Sequence, residues 1–121
     1  MVAFDSLKPG LEGRTERVID ASLLTGHVGG QGLFATPSMI LLMEQTAHGS
    51  VEAQLPAGYT TVGYEVCVRH LAPAQPGETV VVTSRLDEVD RNRLLFAVEC
   101  SKEGKVIGTG THRRAVVPAL G

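Results

Sequence analysis

Residues 33–44 read Leu33-Phe34-Ala35-Thr36-Pro37-Ser38-Met39-Ile40-Leu41-Leu42-Met43-Glu44, and this stretch decides the architecture. Thr36-Pro37 has the chemistry of a helix start: a hydroxyl for the N-cap and a proline at the first helical position, where a missing N–H costs nothing. The helix is expected to run to about Gln54, where Leu55-Pro56-Ala57-Gly58 ends it. Pro37 to Met43 is apolar nearly all round, so protein should enclose it on most sides.

Downstream the period changes from helical to alternating. Val62, Tyr64, Val66, Val68 and His70 fall on one strand face, and Thr61, Gly63, Glu65, Cys67, Arg69 and Leu71 on the other. Pro73 to Gly77 turns the chain. Strands are then expected over Thr79–Val89, Leu94–Ser101 and Lys105–Val117, with turns at Asp90-Arg91-Asn92 and Glu103-Gly104. Upstream, Pro9-Gly10 precedes an edge strand over Arg14–Ala21, and Thr25 to Gly32 (TGHVGGQG) is a loop whose glycines lack the spacing of a dinucleotide or phosphate motif. A short strand, one long buried helix and a meander of antiparallel strands make an α+β arrangement, since the strands follow one another through hairpins. The outer sheet face and the edges still need cover, and a two-fold dimer supplies it most simply.

At 121 residues the chain supports one domain, residues 1–121, with no internal repeat. Hydrophobic content of 43% with 20% charged residues describes a packed protein with an aliphatic core. Eleven basic against thirteen acidic side chains, with no block of like charge, argue against a nucleic-acid partner. The longest apolar run, Met39–Met43, is far short of the roughly 20 residues that span a bilayer. The start, MVAFDSLKPG, has no basic leader and no small-residue cleavage site, so the expected compartment is the cytoplasm. Cys67 and Cys100 each sit in a Val-rich run and read as buried thiols.

Three side chains carry candidate chemistry. Glu44 follows four apolar helix residues, where a carboxylate must be paired, hydrogen-bonded or neutralised; alternatively it joins Gln45, His48 and Glu52 on a solvent stripe. His70 ends an apolar strand face beside a loop, where a rigid side chain can meet a ligand or serve simply as a satisfied core residue. Thr36 combines the cap with a helix N-terminus suited to an oxyanion. His27, His48, His70 and His112 show no zinc-ligand spacing, and no metal is expected.

The segments LFATPSMILLME, GYEVCVRH and GTGTHRRAVV together resemble the hot-dog fold acyl-CoA thioesterases of the fluoroacetyl-CoA thioesterase type, from about Gly10 to Val117. In that family a Phe-Ala-Thr stretch opens the central helix, a glutamate follows eight residues after the threonine, and a histidine 26 residues after the glutamate; Thr36, Glu44 and His70 reproduce both spacings. The resemblance implies a hot-dog fold, one long central helix wrapped by an antiparallel β-sheet, and makes these three the catalytic constellation. It also implies substrate contacts by Gly63 and Arg114. The implied reaction is hydrolysis of a small acyl-CoA by a homodimer or higher homo-oligomer, with no membrane partner and no cofactor beyond the CoA of the substrate. Arg69, Arg113 and Arg114 offer charge for the CoA phosphates. His27 to Gly32 carries no aromatic residue where the fluoroacetyl-specific form has a phenylalanine gate, so a broader short-acyl preference is expected. A non-catalytic acyl-CoA-binding protein and an enoyl-thioester hydratase are the other readings, although a hydratase normally needs an Asp near the helix start and none lies between Asp20 and Asp87.

Overall fold

The computed structural model describes residues 6–120. Strand β1 (Glu12–Val18) leads through a 3-10 turn (Ala21–Leu23) into a two-rung hairpin, β2 (Leu24–Thr25) and β3 (Leu33–Phe34), whose strands flank the glycine-rich loop expected over Thr25–Gly32. Helix α1 (Thr36–Glu52) comes next, then β4 (Tyr59–His70), β5 (Thr79–Asp90), β6 (Arg93–Lys102) and β7 (Lys105–Pro118). The large sheet has the order β1-β5-β6-β7-β4, every neighbouring pair antiparallel, so β1 and β4 are its edges. The β6–β7 hairpin turns at Glu103-Gly104, both at positive φ (50° and 78°), as the alternation and the Gly there require.

Helix α1 lies across the inner sheet face, where Met39, Leu42, Met43, Ala47 and Val51 meet Val80, Val82, Leu86, Leu94, Phe96 and Val98. Gly108 leaves room for the Met39 side chain, whose Sδ would stand 2.4 Å from a Cβ there. The enclosure expected for Pro37–Met43 is incomplete: Leu41 is 51% exposed and Pro37 is exposed. A single sheet covers one side of a helix, and the opposite side of this one is open. The thiol expectation is half corrected: Cys100 is buried, which pushes its pKa up to about 11, whereas Cys67 is exposed on the outer face of edge strand β4.

One irregularity in β4 decides which of its side chains face the helix. The β4–β7 register slips between Gly63 and Glu65, so Gly63 pairs with Arg114 while Glu65 pairs with Arg113. Tyr64 is the extra residue of a β-bulge. Strict alternation sets Gly63 opposite Val66, Val68 and His70; the bulge returns it to their face, towards the helix.

Candidate active site

Two polar groups lie along the inner face of β4, one near each end. The first joins the start of α1 to the end of β4: Thr36 Oγ1 is 2.8 Å from His70 Nδ1. Ala35, not Thr36, is the N-cap, and no side chain caps the helix. The cap expectation is therefore corrected, because the Thr36 hydroxyl is taken by a residue 34 positions away. Phe34 meets the His70 ring edge-on, with centroids 5.9 Å apart. The other ring nitrogen, Nε2, is buried without a hydrogen-bond partner. Burial pushes the His70 pKa below the ordinary histidine value, which favours the neutral imidazole.

Both residues border a cleft of about 650 Å³, closed on its far side by Leu24, Val28 and Leu33 of the β2–β3 arm. That volume suits a small-molecule ligand. Backbone bonds from Phe34 N to the Ala74 carbonyl and from Ala35 N to the Leu23 carbonyl fasten the arm to the rest of the fold.

The second group surrounds Glu44, whose side chain is 36% exposed, with Oε2 4.0 Å from Arg114 Nη1. Arg114 is only 7% exposed and donates inward: Nε to Thr61 Oγ1 (2.8 Å) and Nη2 to the Thr61 carbonyl (3.0 Å). Its Nη1 lies 3.1 Å from His112 Nε2 and its Nη2 3.3 Å from His48 Nδ1. A guanidinium only donates, so both imidazole nitrogens accept. Within the chain four of the Arg114 N–H groups are thus engaged inside the fold, and Arg113 lies 3.1 Å from Glu65. Gly63 completes the group. A Cβ there would stand 2.9 Å from His112 Cε1, 3.0 Å from Glu44 Oε2 and 3.2 Å from Arg114 Nη1, so no side chain fits.

The structure thus brings Thr36 to His70, and Gly63 and Arg114 to Glu44, but joins the two sets by no hydrogen bond among the described residues. Eight residues at about 1.5 Å rise separate Thr36 from Glu44 by roughly 12 Å along the helix. His112, His48 and Thr61 are the members that sequence reasoning misses. The inward alternation of Gly108, Gly110, His112 and Arg114 along β7 carries a signal for the first, being polar residues on a buried face.

Comparison with known proteins agrees with this architecture. The family model described as fluoroacetyl-CoA-specific thioesterase matches residues 14–119. The fluoroacetyl-CoA thioesterase of Streptantibioticus cattleyicolor is 39% identical over 85 residues, which are 70% of this chain and 61% of that protein, so the match spans less than two thirds of the relative's length. The solved structure of the fluoroacetyl-CoA thioesterase FlK superposes with a TM-score of 0.85 at 30% identity, covering 93% of this chain and 89% of that one. A variant of it has been solved with fluoroacetate and CoA. A hot-dog-like protein from Thermanaerovibrio acidaminovorans superposes with a TM-score of 0.86 at 25% identity over 95% of this chain and 87% of that one, which establishes the hot-dog fold expected from the sequence.

Proposed function

The chain belongs to the fluoroacetyl-CoA-specific thioesterase family, and from that membership we propose that it hydrolyses the thioester of a short acyl-CoA, releasing the free acid and CoA in the cytoplasm, with water as the only co-reactant. The observation that carries the reading is the Thr36–His70 pair at the cleft, with one imidazole nitrogen engaged by the hydroxyl and the other unpartnered. A buried polar atom without a partner costs free energy, and a ligand at the cleft would relieve it.

In the proposed reaction Glu44 serves as general base for water or as the nucleophile, His70 exchanges protons and orients the acyl group, and Thr36 donates a hydrogen bond. The N–H of Gly63, at a bulge whose missing side chain permits close approach, is the candidate donor to the oxyanion. The hydroxyl of water adds to the carbonyl carbon, the C–S bond breaks, and the proton taken from water passes to the leaving thiolate, so that the products are the carboxylic acid and the CoA thiol.

The separation of roughly 12 Å along the helix between the two sets favours a site completed by a second chain. The long unpaired edge of β4, with Val62 and Tyr64 exposed on it and Leu41 exposed on the helix, supports a homodimer. Antiparallel pairing of two β4 strands about a two-fold near Val66 and Cys67 would set His70 of one chain beside Glu44 of the partner subunit. A panel of acyl-CoA esters with a thiol-trapping dye tests the activity. Release of CoA from short acyl esters that is lost in Glu44→Ala and in His70→Ala is the expected result; a folded protein that binds these esters without releasing CoA is a non-catalytic binder.

A further inference from the structure

Arg114 has five N–H bonds, and the structure accounts for four. Nε–H goes to Thr61 Oγ1, the two of Nη2 to the Thr61 carbonyl and His48 Nδ1, and one of Nη1 to His112 Nε2. The fifth, on Nη1, faces Glu44 Oε2 across 4.0 Å, an ion-pair distance but beyond a hydrogen bond. Because His112 Nε2 accepts, its proton must sit on Nδ1, which is 2.8 Å from the carbonyl oxygen of Glu65, the residue just past the bulge. The ring is 1% exposed and stacks on Phe96, at 6.3 Å between centroids and 29° between planes.

We propose that His112 is a positioning residue for the hydrolytic site: as the Nδ1–H tautomer it clamps the β4 bulge through the Glu65 carbonyl and holds the Arg114 guanidinium back from Glu44 through Nε2. The inference rests on the assignment of Glu44 to the reaction. Held 4.0 Å away, the guanidinium faces the carboxylate with its charge but ties up neither oxygen, leaving both for water. Without the His112 acceptor, the freed Nη1–H closes on Glu44 in a direct charge-assisted bond and the bulge loses its inner anchor. The charged or titratable groups around the ring are Arg114 from β7, Glu44 and His48 from α1, and Glu52 beyond His48, while the Glu65 carboxylate pairs with Arg113. Burial, the largest influence on His112, opposes a second proton on the ring and outweighs the Glu65 carbonyl bond, which favours one; the Arg114 charge opposes it and the Glu44 charge favours it.

Two variants separate this role from mere packing. His112→Phe keeps the bulk and the stacking but offers no acceptor; His112→Gln places an amide oxygen near the position of Nε2. We expect His112→Phe to lose kcat by about 10- to 100-fold while KM moves by less than about threefold, and His112→Gln to recover most of the loss. Long-range ¹H–¹⁵N spectra of the wild type should show His112 as the neutral Nδ1–H tautomer, and the Arg114 Nε–H signal, sharp in the wild type, should shift in His112→Phe and return towards its place in His112→Gln. Unchanged kcat in folded His112→Phe or an Nε2–H tautomer would overturn the proposal, and His112→Gln as impaired as His112→Phe would overturn its hold on Arg114. Full activity in Glu44→Gln would instead overturn the role given to Glu44, and the two spectra would still decide whether His112 holds Arg114.

Discussion

If the site is shared between two chains, two inactive variants should repair each other. His70→Ala removes the imidazole of one polar group and Glu44→Ala the carboxylate of the other, and each alone is expected to lower kcat by about 10²- to 10⁴-fold, the usual worth of a positioned acid or base. In a mixed dimer, the His70 of the Glu44→Ala chain faces the Glu44 of the His70→Ala chain, which rebuilds one site, while the second site lacks both groups. Random exchange of equal amounts makes half of the dimers mixed, each with one intact site of two, so about a quarter of wild-type activity per chain should return. The expectation follows from the separation of the two groups. Glu44 Oε2 lies against Gly63, and the seven strand residues from there to His70 cover roughly 20 Å at about 3.3 Å each, allowing for the bulge. Co-expression with two different tags and sequential capture isolates the mixed species, and CoA release is followed with a thiol dye. Exposed Cys67, which the paired-strand geometry sets near the two-fold, gives an independent control, because a short bifunctional maleimide should crosslink the dimer there. Purified mixed dimers no more active than their parents would refute the shared site and require Thr36, Glu44 and His70 to work within one chain.

Gly63→Ala should cost about 1–3 kcal/mol of stability from overpacking and reduce kcat more than tenfold. Of the three atoms its methyl would crowd, those of His112 and Arg114 are locked in buried hydrogen bonds, so the Glu44 carboxylate must give way; urea midpoints together with kcat check this, and normal turnover would contradict it. His70 and His112 both titrate below the ordinary histidine value in the folded chain, mainly through burial, and at about 6.5 when unfolded. Below pH 6.5 the unfolded state therefore binds more protons, so the urea midpoint should be highest above that pH and fall as the pH drops towards the folded values, with a shallower fall in His112→Phe. Among acyl groups, fluoroacetyl-CoA should be preferred over acetyl-CoA by no more than about 10- to 200-fold, because Val28 and His27 border the cleft where an aromatic gate would stand; competing-substrate kcat/KM values would show a larger ratio at once.

The elements are readable because each is locally consistent. A proline at the helix start, an apolar run, a Pro-Gly stop and then alternation with turn residues at regular intervals specify one helix and a meander, and the structure matches them within a few residues. The site is less readable because it depends on departures from period. A single extra residue, Tyr64, reverses the face of everything before it, and the only local sign is a glycine inside an otherwise well-formed strand, which often marks a bulge. Thr36 has the right chemistry for a cap, yet its hydroxyl goes to His70, a contact made only by the tertiary fold. An arginine on a strand is usually solvated and free to meet phosphate, but the even-numbered neighbours of Arg114, namely Gly108, Gly110 and His112, already place it on the inward face, where a charge must find partners.

That inward polar island also connects assembly to chemistry. Strand β1 is a seven-residue edge, but β4 offers twelve residues and lies directly over both half-sites. An edge of that length is an invitation to pairing unless something covers it. Charge and proline, the usual blunting devices, are sparse there: β4 contains no proline, and its two charged side chains, Glu65 and Arg69, point to the outer face. Pairing along this edge would satisfy the backbone, cover Val62 and Tyr64, and draw each Thr36–His70 group towards the partner's carboxylate. By the alternation of the ladder the Val66 N–H faces away from β7, because that of Leu71 meets the Ile107 carbonyl. A substitution that removes an N–H from the open edge and leaves the β4–β7 ladder paired, such as Val66→Pro, should therefore abolish turnover and dimerisation together, whereas an active monomer would separate the two.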